Sequence, residues 1–142
     1  MPIDPEELST LLSNAVQFGE QMIAEHGTFY PYGFTLDQSG EVAMTGAWNG
    51  EEHPEPRAIY QLLQQAFTRD IASGKVKAIA LAADVTIPKE YSPAYPDGIR
   101  VLVEARDFSR FIYVPYSRPA TGQASFAEMF SVEVPHAFFG RS

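Results

Sequence analysis

Few residues in this chain have the type and spacing that chemistry needs, and the densest group is the run Glu51-Glu52-His53-Pro54-Glu55. Carboxylates and an imidazole are competent ligands for zinc or manganese. One histidine among loop acids is also what a solvated acidic loop looks like ahead of a helix, whose N-terminus welcomes negative charge. We expect the second, with no metal and no cofactor. His26 and His136 would join His53 only if three distant positions converged. Taken singly, His26 suits the C-terminal end of a helix and His136 lies near the chain end.

Asp84 and Glu104 fall in two segments with strand patterning. On one face of neighbouring strands the two carboxylates would repel, raising one pKa and preparing acid–base work. With Arg100 and Arg106 close by in sequence, cross-strand ion pairs are the expected use of these charges. No serine or threonine occupies a G-x-S-x-G elbow, and neither a P-loop nor a dinucleotide glycine fingerprint occurs. The chain has no cysteine, so thiolate chemistry and disulfides are excluded. These absences weigh toward a non-enzymatic role.

The remaining candidates are aromatic. Three proline-bearing stretches, FYPYGF at 29–34, EYSPAYP at 90–96 and VPYSRP at 114–119, carry Tyr30, Tyr32, Tyr91, Tyr95 and Tyr116. Together with Trp48 they define a candidate contact surface, because tyrosine and tryptophan are enriched at binding hot spots and proline lowers the ordering cost. The same rings could equally cap the ends of a sheet and fill its core.

The element that must position all of these is Lys75–Ile87, KVKAIALAADVTI, which is apolar in both of its alternating sets. Such a segment reads as a central strand covered on both faces, and its alanines leave room for a helix to lie close. Asp4, Pro5 and Glu7 have the spacing of a helix start with a capping box, and Leu8, Leu11, Leu12, Ala15, Val16 and Ile23 continue as a helical stripe that ends at His26 and Gly27. Thr35–Asp37 and Glu41–Thr45 flank Gln38-Ser39-Gly40 as a hairpin. A second helix spans Arg57–Ser73 with Ile59, Leu62, Leu63, Ala66, Phe67 and Ile71 on one side. After the long loop 88–98, Ile99–Arg106 and Arg110–Tyr116 form a second hairpin, and Phe126–Val134 fits a final strand or a short helix. The expected fold is α+β: one domain over 1–142, with an antiparallel sheet of about five strands and helices on one of its faces.

The element order, helix-strand-strand-helix-strand-strand-strand, is similar to that of profilin-like and roadblock-type domains, which bind peptides, nucleotides or proteins. More locally, Phe29-Tyr30-Pro31-Tyr32-Gly33 after an N-terminal helix, with Ile99–Glu104 as a late strand, resembles small uncharacterised bacterial α+β proteins. That resemblance implies no activity and no site residues.

A net charge of -8 and a pI near 4.7 disfavour nucleic acid and anionic membrane surfaces, where binding rests on lysine and arginine. The N-terminus lacks the basic and apolar regions of a signal peptide, and no apolar run reaches the ~20 residues of a membrane helix, so a cytoplasmic location is expected. The leading functional expectation is a protein-interaction domain. One form is an acidic, inhibitor- or immunity-like protein that masks a basic partner; another is a homodimer formed through the sheet edge or the aromatic loops. The alternative is a small-molecule binder or enzyme whose pocket lies between helices and sheet, lined by Trp48, Tyr60, Phe67 and the loop tyrosines.

Overall fold

The computed structural model describes residues 3–119 and 122–139. Helix α1 spans Pro5–His26, strands β1 and β2 span Tyr32–Asp37 and Val42–Thr45, and helix α2 spans Pro56–Ala72. Strand β3 covers Val76–Thr86, β4 Asp97–Ala105, β5 Phe108–Ser117, β6 Ser125–Phe126 and β7 Phe130–Glu133. All pairings are antiparallel, in the order β2-β1-β3-β4-β5, with β6 and β7 both lying along β5. The α+β class thus holds, and the sheet has seven strands rather than about five because the stretch 125–133 pairs as two short strands.

Helix α1 starts where its cap requires. The Asp4 side chain accepts from the Glu6 N–H at 2.9 Å, and Gly27, at φ 80°, closes the helix by donating to the Ile23 carbonyl. Glu7 does not complete a capping box. Its carboxylate turns instead to Lys77 on β3, at 2.7 Å, tying the first turn of the helix to the sheet.

The two helices lie on opposite faces of the sheet, not on one. Leu11, Ala15, Val16 and Ile23 of α1 pack with Ala78, Ala80 and Ala82 of β3, whereas Ile59, Leu63 and Phe67 of α2 pack with Ile79 and Leu81. Alternation along one strand explains this, since successive side chains point to opposite sides. The alanine row accepts α1 and the row of branched residues accepts α2. Val76 departs from the alternation: the pairing register shifts between Leu36 and Asp37, and Val76 joins the α2 face while Lys77 meets Glu7 on the α1 side.

Close approach of the layers needs glycine at two places. A Cβ on Gly33 would stand 2.3 Å from the ring of Phe67, and one on Gly19 would stand 2.7 Å from the Tyr32 hydroxyl. Phe67 is fully buried as a result, a burial worth about 1.5–3 kcal/mol. Where α2 ends, the segment 134–139 takes over as cover of the same face, bringing Phe138 to 6.3 Å from Phe67, ring centre to ring centre.

Candidate functional site

Two regions have a geometry suited to recognition. The first is the outer edge of β2, whose pairing to β1 uses only one of its edges among the described residues. The hairpin that presents it is held by Asp37, whose carboxylate accepts from the Ser39 hydroxyl at 2.7 Å and from the N–H groups of Ser39 and Glu41. These bonds, the Ser39 hydroxyl first, hold the Asp37 carboxyl below its ordinary value. From Val42 to Trp48 the chain reads VAMTGAW without a charge. Met44 is 48% and Trp48 71% exposed. Edge strands are usually guarded by lysine, proline or a bulge, and β2, four residues long, carries neither lysine nor proline. Exposed acids stand on either side in sequence: Glu41 before the strand and Glu51, Glu52 and Glu55 after it. The Trp48 indole N–H donates to the Glu51 carbonyl at 2.7 Å, which fixes the ring while leaving its face open.

The second region is a cleft of about 370 Å³ at the N-terminal end of α2, between that helix and the sheet. Arg57, Tyr60, Gln61 and Gln64 reach it from the helix, and Ala83, Asp84 and Arg100 from β3 and β4. Arg100 is paired across the sheet with Ala83 and lies beside an aromatic group. Its guanidinium carbon is 4.5 Å from the Phe111 ring centre and 5.7 Å from that of Tyr60, and Nη2 donates to the Tyr60 hydroxyl at 3.3 Å. Tyr113, Phe130 and Tyr91 extend the aromatic row, with Tyr113 and Phe130 stacked at 5.3 Å.

The six candidate aromatic residues do not make one surface. Tyr32 and Tyr116 are buried in the α1 face, where the Tyr32 hydroxyl donates to the Ala15 carbonyl and that of Tyr116 to Asp84 at 2.6 Å. Burial drives both phenols well above their ordinary pKa. Both rings serve the core, because each hydroxyl finds an acceptor inside it. Tyr30 is half-exposed and Tyr95 partly buried, while Tyr91 packs on Tyr113 at the side of the sheet away from β2 and Trp48. Of the suggested pocket residues, Tyr60 lines the cleft, but Phe67 lies in the core and Trp48 is in solvent.

The paired-carboxylate arrangement does not form. Register sets Glu104 opposite Ile79 and Asp84 opposite Ile99, five positions apart along the strands. Asp84 accepts from Thr28 and Tyr116. Glu104, fully buried, accepts from three backbone N–H groups, those of Ala137, Phe138 and Phe139, at 2.7–3.1 Å. Nor do the expected ion pairs to Arg100 and Arg106 form. Arg106 lies in the turn past β4, and Arg100 has its aromatic neighbours. The three histidines stay apart: His26 is exposed beside Glu25, His53 is exposed, and the His136 Nε2–H donates to the Ala105 carbonyl at 2.9 Å. Among the described residues no three histidine, aspartate or glutamate side chains are grouped to hold a metal ion.

The roles of Glu104 and Arg100 were hidden in the alternation of IRVLVEA, where both look like solvent-facing residues of a half-buried strand. Only the presence of α2 and the C-terminal segment on that face makes Glu104 interior and Arg100 partly buried. No protein-family model matches the chain, and no curated protein and no solved structure matches it. No described helix is long and apolar enough to cross a membrane.

Proposed function

We propose that this chain is a protein-interaction domain that adds a strand of a basic partner to the outer edge of β2. The observation that carries the reading is the uncharged stretch Val42–Trp48, with Ala43, Met44, Gly46 and Trp48 exposed, whose first four residues form an open sheet edge, bracketed by Glu41 and by Glu51, Glu52 and Glu55. Strand addition draws affinity from main-chain hydrogen bonds and specificity from side chains at alternate positions. Here Met44 and Trp48 supply apolar contact, and the flanking carboxylates select a segment with lysine or arginine at its ends. A second copy of the chain would bring like charges together at both ends of the new pairing, a cost that a basic partner avoids. The net charge of -8 steers the same encounter.

The test is a photo-crosslinking amino acid at position 44 in expressing cells, with position 65 on the exposed side of α2 as control. A distinct adduct at 44 that disappears with Ala43→Lys and weakens as salt rises supports the proposal. Identical adducts at both positions, or capture indifferent to salt, would sink it. A crosslink to the chain itself would assign the edge to a homodimer instead.

A further inference from the structure

The cleft beneath the start of α2 has a different chemistry from the β2 edge, and we propose that it binds a small organic carboxylate, with Arg100 as the anion-binding group. Arg100 is partly buried and has no carboxylate within salt-bridge distance among the described residues, although the chain as a whole is rich in acids. Its Nε is buried and no described protein group accepts from it. A guanidinium offers five donors in a planar fork, and among the described residues one acceptor meets it, the Tyr60 hydroxyl. Partial burial of a cation has a cost unless it is paired, and the rings of Phe111 and Tyr60 offset that cost only in part.

The cleft completes the arrangement from the other side. Its volume of about 370 Å³ lies at the small end of the range for ligand sites. Phe29, Pro31, Pro56 and Ala83 give it apolar walls, and Arg57 on the first turn of α2 places a second cation at its rim. Asp84 also lines it, its two oxygens accepting from Thr28 and Tyr116 at 2.8 and 2.6 Å; Arg57 and Arg100 outnumber this one carboxylate, and the other lining residues are uncharged, so the cleft keeps an excess of positive charge. A planar carboxylate on an apolar body matches both features: the terminal Nη groups, rather than the enclosed Nε, take the two oxygens, and the proline and phenylalanine walls take the body. Inorganic phosphate matches the first feature only.

The experiment uses benzoate as the probe, titrated into the ¹⁵N-labelled full chain, with benzamide and inorganic phosphate as comparators. Saturable shifts confined to amides around Tyr60, Ala83 and Arg100, absent with benzamide and much weaker with phosphate, are the expected result. Arg100→Lys keeps the charge but loses the fork, and should weaken benzoate about tenfold or more while the remaining spectrum stays folded. Arg57→Gln should weaken it less. Shifts that fail to saturate, equal response to benzamide, or undiminished binding by Arg100→Lys would each overturn the assignment. Phosphate binding as tight as benzoate would overturn the organic-body part of it.

Discussion

Replacing Glu104 by glutamine tests whether the buried carboxylate is the latch of the C-terminal segment. Oε1 of Glu104 accepts from Phe138 and Phe139, and Oε2 from Ala137. Glutamine can keep one oxygen facing the first pair, but its NH₂ then faces the Ala137 N–H, donor against donor. One buried donor left unsatisfied costs about 1–3 kcal/mol, and the two surviving bonds lose their charge assistance. Glu104→Ala removes both acceptor oxygens and with them all three hydrogen bonds, and should cost more, up to the point where the segment lifts away and its amides hydrate. The loss is therefore expected in local opening before global unfolding. Hydrogen exchange at residues 137–139 should quicken about 5–150-fold in the glutamine variant, the ratio that corresponds to 1–3 kcal/mol. The ring contact between Phe138 and Phe67 should weaken with it. Unchanged exchange at 137–139 would refute the latch. So would loss of protection across β3 and β4 with no preceding release of the segment, because the carboxylate would then be holding the sheet.

Two further outcomes follow from packing and from the hairpin. Leu63→Ala should cost about 2–5 kcal/mol in denaturant unfolding, and Leu62→Ala clearly less, because Leu63 is fully buried and Leu62 only partly; equal losses would mean that α2 is rotated from its described orientation. For Asp37, the folded pKa lies below the ordinary 3.8, so its contribution is complete above that value and disappears as pH falls through the lower, folded one. The Ser39 and Glu41 amide resonances should titrate with a midpoint below 3.8, and Asp37→Asn should abolish that titration; a midpoint at or above 3.8 would refute the assignment.

Much of the architecture was legible in local pattern. The Asp4 cap and the Gly27 stop bound α1 as their spacing implied, both hairpins formed where turn residues separate alternating runs, and β3 is covered on both faces as its two apolar sets require. Where pattern was ambiguous the structure decided by pairing: Phe130–Glu133 became a strand because β5 offered Arg110–Tyr113 an open edge to fill. The helices could not be assigned to faces from their own stripes, since an apolar stripe states that a helix is covered and not by which side of which sheet.

The candidate sites divide along the same line. Residue type and local sequence alone established the acidic run at 51–55 and the lack of any familiar catalytic motif, because these are properties of neighbours in the chain, whereas the uncharged run at 42–48 became a candidate only through its place at a sheet edge. Tertiary structure alone decided that Tyr32 and Tyr116 are interior, that Asp84 and Glu104 never meet, and that Arg100 is set among rings beside a cleft. The physical reason is register and layering. A shift of one residue between β3 and β4 would exchange every side chain between faces, and whether a face is wet or buried depends on elements far away in the sequence.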